Sequence, residues 1–384
     1  MWFNRQRKSS SEKLNEDSAP ALLASLYSNG IDLSMQELLQ YQSKSRLIDL
    51  VGKKNIQGKQ AGNYLSRSKG RGMEFDEVRH YQTGDDVRAI DWRVTARTGK
   101  THTKLFREEI ERPVLIATDL SQNMHFGSKL LFKSVQAAHL AALVAWHAKS
   151  RGDRLGGLVF CDEEHIELKP RSRKAGVLHY LHALTTLNNK KMKKRVEAQS
   201  TVVNNKIIDN NDLNNNNDLD KSQSVNQENS APRPEEGSTV NSQRLKHSNF
   251  EQNCARLRHI AKPGSLVYFI TDGHAFHDQQ HCSHALRHLS YISQHCELVV
   301  CLISDPLEHS LPNSPLKLSV TLTDGQSRQQ LTLGDVNTAE QYQQKAIELE
   351  DKMKSLLQSS GARVVHFSAG DSIEQQLKYS EASL

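Results

Sequence analysis

The sequence predicts an α/β fold, a mainly parallel sheet with helices on both faces, preceded by a charged N-terminal arm. Three observations carry this. Apolar runs of strand length, such as Val114–Thr118 and Leu155–Phe160, recur along the chain and are bounded by polar turn residues. Segments with helical apolar spacing separate them, and strand–helix alternation implies parallel pairing. Two of the runs, Val114–Asp119 and Ser265–Asp272, end in an aspartate. In an open α/β sheet, ligands bind beyond the carboxyl ends of the strands.

Taken in order, residues 1–20 read as a loose polar tail. Residues 21–50 hold helical material, with Ser34 or Asp32 as a cap before Met35-Gln-Glu-Leu-Leu. Residues 67–97 are dense in charge and turn residues, and Thr83-Gly84-Asp85 marks a turn. From Pro113 the alternation begins, with strand 113–119. In helix 130–149, Leu131, Val135, Ala138, Ala142 and Trp146 line one buried face. Strand 155–160 follows, and 164–168 turns back beside it. Helices are then expected at 177–187, 245–261, 279–293 and 338–358. Strands are expected at 265–271, 297–303 and 363–367, with a hairpin at 317–333. This places a helical and charged segment at 21–112 and the α/β domain at 113–384. Residues 188–243, with thirteen Asn and no aromatic residue, interrupt that domain. Such a composition cannot bury enough apolar surface to offset its ordering entropy, so a disordered insertion is expected.

Composition sets limits on function. The hydrophobic fraction is 36%, low for a chain packed throughout. The net charge of +6 is modest and interspersed with acid, so on its own it does not argue for nucleic acid, and a nucleic-acid partner is not expected. The basic run Lys190–Arg195 reads as the solvated start of the insertion. Five scattered cysteines without a CxxC pair read as reduced thiols. The N-terminus has no apolar core behind its positive charge, and the longest apolar run, Leu140–Trp146, is too short to span a bilayer. A cytoplasmic protein is expected, peripheral to a membrane only through a partner.

Asp119, Ser121 and Asn123 place oxygen-bearing side chains at alternate positions after the first strand, and Asp272 ends the second. If those strands are neighbours, the four residues surround one small site. Magnesium or manganese suits such a set, because hard cations take one or two carboxylates, neutral oxygens and water. An open coordination position would then accept a partner carboxylate. The plainer alternative is that Asp119 and Ser121 satisfy the amides of their own turn. A phosphotransferase with a DxD motif would need an acid where Ser121 stands. Neither a GxxxxGK[ST] loop nor a GxSxG elbow is present. His274, His277, His281, His284 and His288 are spaced for a helix face, which could hold a transition metal or simply be solvated.

The charged segment offers two readings. Arg79, Arg88, Arg93 and Arg97 alternate with Asp85, Asp86 and Asp91, as in an internal salt-bridge lattice. Alternatively, Arg79, Asp85, Asp86, Arg88, Asp91, Trp92 and Arg97 form a surface for a partner or for phosphate. The stretch Glu74–Arg97, followed by Asp119-Leu-Ser and Asp305-Pro-Leu-Glu308, resembles the bacterial domain-of-unknown-function 58 family. The resemblance runs from about residue 34 to near the C-terminus, interrupted at 188–243. It implies a von Willebrand factor A-like, Rossmann-like domain with a metal-ion-dependent adhesion site of pattern DxSxS, then a threonine, then an aspartate. Asp119 and Ser121 match the first two positions, Asn123 replaces the second serine, and Asp272 matches the last. Thr185 or Thr186 is the threonine candidate. The resemblance also implies association with MoxR-type AAA+ ATPases that assemble or activate other complexes. The expected function is a non-enzymatic interaction module, accessory to such an ATPase or to its client complex. The alternative is a metal-dependent hydrolase of phosphate esters or nucleic acid.

Overall fold

The structure, a computed structural model, describes residues 18–48, 73–108, 112–212, 249–277, 279–312, 314, 317–323 and 328–382. The chain divides into two compact units, Met1–Val51 with Pro113–Leu384, and Gly52–Arg112. The expected grouping of 21–112 is thereby corrected, because the early helical segment packs with the sheet rather than with the charged arm. Residues 1–17 and 213–248, which hold most of the expected tail and of the expected insertion, lie outside the described residues; the last three residues of the expected tail instead open a helix, α1 (Ser18–Ser25).

The smaller unit is built on an antiparallel pair, β1 (Met73–His80) and β2 (His102–Glu108). Between them lie a short turn of helix at Val87–Ala89 and α3 (Trp92–Thr98). Asp91 caps α3 by accepting from the Arg93 and Val94 amides. Gly99 ends it in the left-handed conformation that glycine adopts without penalty.

The larger unit contains a six-stranded sheet in the order β10-β7-β6-β3-β4-β5. These are β3 (Pro113–Asp119), β4 (Arg154–Phe160), β5 (His165–Arg171), β6 (Leu266–Thr271), β7 (Glu297–Ser304) and β10 (Arg363–Ser368). All neighbours pair in parallel except β5, which returns antiparallel to β4 at the edge. β8 (Leu318–Thr323) and β9 (Arg328–Leu333) form a separate hairpin. The apolar runs are continuous because both sheet faces are covered. Val114 and Ile116 enter one core, and Leu115 and Ala117 enter the other. Gly157 marks where β4 closes most tightly on β3: a Cβ there would lie 2.0 Å from the Ile116 carbonyl oxygen.

Helices flank both faces. The first core is shared by α2 (Met35–Leu39), α4 (Lys133–Ser150), α5 (Arg173–Asp212) and α10 (Ile373–Ala382). The second takes α6, which covers 249–260, α7 (Gln279–Ser293) and α9 (Val336–Ser359). α5 runs on to Asp212, well past the predicted end at 187, so residues 188–212 are helical. α2 begins at Ser34, whose capping box with Glu37 decides between the two cap candidates.

α4 departs from the expected one-sided helix. Lys133 through Ala148 are buried on every side, which makes it the central helix of this core. Its polar residues are hooks to its neighbours. Gln136 donates to the Ser368 and Asp371 carbonyls at 2.7 and 3.0 Å. His139 meets Glu37 at 2.6 Å, and the His147 ring lies 3.1 Å from the Ser45 carbonyl. Glu37 thus caps α2 with one oxygen and fastens it to α4 with the other. Lys133 hooks the helix to the strand ends.

Candidate functional site

β6 pairs with both β3 and β7, so the carboxyl ends of these strands lie side by side. Each is followed by an acidic loop. Asp119 ends β3, Asp272 follows β6, and Asp305 follows β7. The condition under which Asp119 and Asp272 would share one edge, that their strands are neighbours, is met.

Every carboxylate of this edge is engaged from within. Asp119 is buried; Oδ1 accepts from the Ser121 amide at 2.9 Å, and Oδ2 accepts from the Thr271 hydroxyl at 2.9 Å. Asp272 Oδ1 accepts from the His274 amide at 2.9 Å. Its other oxygen takes the Lys133 ammonium at 3.1 Å. The same ammonium donates to Glu308 Oε1 at 2.6 Å. Glu308 closes a capping box with Asp305 at the start of α8 (Pro306–His309), where Asp305 also accepts from the Ser128 amide at 2.8 Å and from the Ser128 hydroxyl. Gly273 makes the turn after Asp272 possible: its φ is +77°, and a Cβ there would strike the Met353 sulfur.

Lys133 sits in the first turn of α4, where the helix dipole disfavours a cation. Its side chain is 3% exposed and that of Asp272 4%. Burial pushes the Lys133 ammonium toward neutrality, but Asp272 and Glu308 outweigh it and hold its pKa above the ordinary lysine value. Burial pushes Asp272 up, yet the Lys133 charge and the His274 amide bring it below the ordinary carboxylate value. Asp119 goes the other way. Burial, followed by the negative charge of Asp272, raises it to about 7, against the pull of the Ser121 and Thr271 donors.

Of the expected metal ligands, Asp119, Ser121 and Asp272 gather at this edge. Ser121 opens the turn Gln122–Met124, and Asn123 is exposed within it. Thr185 and Thr186 lie elsewhere, on α5, where they line an open groove of about 420 Å³ with Asn189, Lys190 and Lys193. The threonine on Asp119 is Thr271. Among the described residues, no group of three or more His, Cys, Asp or Glu is arranged to hold a metal ion. Sequence reasoning overlooked Lys133, Thr271, Asp305 and Glu308 as members of the edge. A lysine opening an otherwise apolar helix was a usable signal, and Asp305-Pro-Leu-Glu308 reads as a capping box with proline at the first helical position.

The histidines separate. The His274 and His277 rings are 5.5 Å apart beside the edge, whereas His284 pairs with Glu251 and His288 faces Arg258. The His281 side chain lies outside the described residues. In the arm, the ion pairs seen among the described residues include Arg79–Asp85 at 2.7 Å and Lys104–Asp91 at 3.6 Å. Asp85, Asp86 and Asp91 chiefly satisfy backbone amides.

Residues 77–211 match the model of a family described as protein of unknown function DUF58. The match is shorter than the resemblance expected from residue 34 onward. It includes Asp119, Ser121, Asn123 and Lys133 and stops before Asp272, Asp305 and Glu308. Uncharacterized proteins of Mycobacterium bovis and of two Mycobacterium tuberculosis strains are each 35% identical over 114 residues. That covers 30% of this chain and 36% of each relative, so the chain spans little more than a third of the curated relatives it matches. No solved structure matches it. No helix among the described residues is long and apolar enough to cross a membrane.

Proposed function

We propose that this chain is a non-enzymatic interaction module whose strand-end edge docks a partner protein. The observation that carries the reading is the Lys133 bridge. One buried ammonium ties the loop after β6 to the loop after β7 through Asp272 and Glu308. The loop after β3 is tied to the same edge through Asp119 and Thr271. Loops fixed in this way lose little freedom on binding, which is what a preorganised docking surface requires. The exposed groups at the edge are Gln122, Asn123, Phe126, His274 and Glu308. Saturated carboxylates of this kind hold a shape rather than exchange protons with a substrate. The strand order and the antiparallel edge strand agree with a von Willebrand factor A-like domain. The partner is a MoxR-like AAA+ ATPase or its client complex, an assignment that rests on the family resemblance.

One observation favours a second form of this reading, in which Mg2+ or Mn2+ joins the edge. Burial, and after it the charge of Asp272, raises Asp119, and among the described residues no cation pairs with Asp119 as Lys133 does with Asp272. Asp119, Ser121 and Asn123 would hold the ion there and leave a position for a partner carboxylate. Asp272 could join only by releasing Lys133.

The test is association of the purified chain with a MoxR-type AAA+ ATPase, measured with Mg2+ and with chelator. Asn123→Arg and His274→Glu should weaken binding at least tenfold without altering thermal stability. Loss in chelator assigns the metal form, and persistence assigns the Lys133 form. Failure to associate under either condition rejects the proposal.

A further inference from the structure

The smaller unit carries a second surface, independent of the strand-end edge. Three of its aspartates are engaged locally: Asp85 by the Gln82 amide and Arg79, Asp86 by the Arg88 amide, and Asp91 by α3 and Lys104. The arginines are left over. Arg88, Arg93 and Arg97 are exposed, and among the described residues none forms an ion pair. At helical spacing, the outer side of α3 presents Trp92, Arg93, Ala96 and Arg97, while Val94 and Thr95 are half-buried. Trp92 is 67% exposed, and Val87, beside Arg88, is 59% exposed. An indole held in water among unpaired guanidiniums combines the residue types that dominate binding energy at protein interfaces.

We propose that this face of α3 docks an acidic protein segment, with an apolar side chain against Trp92 and carboxylates on Arg88, Arg93 and Arg97. Charge complementarity selects the occupant. Guanidiniums pair with carboxylates in two-pronged geometry, and these three are unspent. A nucleic acid fits less well. Residues 73–108 carry seven acidic and seven basic side chains, so a long phosphate backbone would meet as much repulsion as attraction. A short acidic segment can lie along the arginine side alone.

The probe is a synthetic peptide of alternating glutamate and leucine, set beside its glutamine analogue and an oligouridine RNA. Each is titrated into the full chain carrying Trp2→Phe. Trp146 is 1% exposed, so acrylamide quenching then reports on Trp92. Trp92 should be open to acrylamide in the free chain and shielded by the acidic peptide, with binding that weakens as salt rises. Trp92→Ala and the pair Arg93→Glu, Arg97→Glu should each weaken binding roughly tenfold or more, with circular dichroism unchanged. Equal binding of the glutamine analogue, or tighter binding of RNA, overturns the proposal. So does a Trp92 already shielded in the free chain, because the chain itself would then cover that face.

Discussion

The strand-end edge and the arm use the same residue types and treat them in opposite ways. At the edge, an aspartate, a glutamate and a lysine are tied together, and the Lys133 and Asp272 side chains are almost wholly buried. In the arm, Asp86 and Asp91 satisfy backbone amides, and Arg88, Arg93 and Arg97 stand in water with no ion pair among the described residues. Burial is the difference. A charge removed from water needs a partner at hydrogen-bond distance, whereas an exposed one does not. The edge is therefore a structural commitment of the fold, and the arm holds charge in reserve for another molecule.

The largest test of this contrast is Lys133→Met. It strands Asp272 in a buried site without its cation, so unfolding in urea should show a loss of about 3–5 kcal/mol. Adding Asp272→Asn should recover part of that loss. If the single variant is as stable as wild type, the bridge is not what holds the loops.

The next effect is on pH dependence. The folded-state pKa of Asp119 is raised, so its contribution to stability is complete below the ordinary carboxylate value and is lost as pH climbs to about 7. Unfolding free energy should fall across that window by up to about 4 kcal/mol, and Asp119→Asn should flatten the slope. Asp272, whose pKa is lowered, contributes in the opposite sense: its share is present above the ordinary value and lost in acid. A slope unchanged in Asp119→Asn would place the titrating group elsewhere.

The arm should respond weakly. Asp91→Ala removes the α3 cap and should cost about 1 kcal/mol locally, visible as faster amide exchange at Val94 and Thr95. Arg93→Ala and Arg97→Ala should leave global stability within about 0.5 kcal/mol. A larger loss would mean that these arginines hold the fold and are not held in reserve.

Much of the fold was legible because its signals are local. The runs at Val114–Thr118 and Leu298–Ile303 are buried on both faces and read as strands without further context. Ser34 announced its helix through the capping box with Glu37. The edge was half legible: Asp119 and Asp272 sit where strands end, but the strand order that makes them neighbours is not written in the local pattern. Lys133 escaped because its partners lie 139 and 175 residues away in sequence, and no periodic pattern encodes a pairing at that range. Thr271 was read as a strand residue, and its hydroxyl finds Asp119 only because β6 pairs with β3. The arm misled for a related reason. Alternating signs suggested a lattice, but short acidic side chains reach their own backbone amides sooner than a distant guanidinium.

The most direct test of the central claim is the affinity of the purified chain for a MoxR-type ATPase, the proposed partner, compared between His274→Glu at the edge and Arg97→Glu on the arm. The account predicts at least a tenfold loss for the edge substitution, little change for the arm substitution, and unchanged folding in both. Binding that ignores the edge substitution would contradict it.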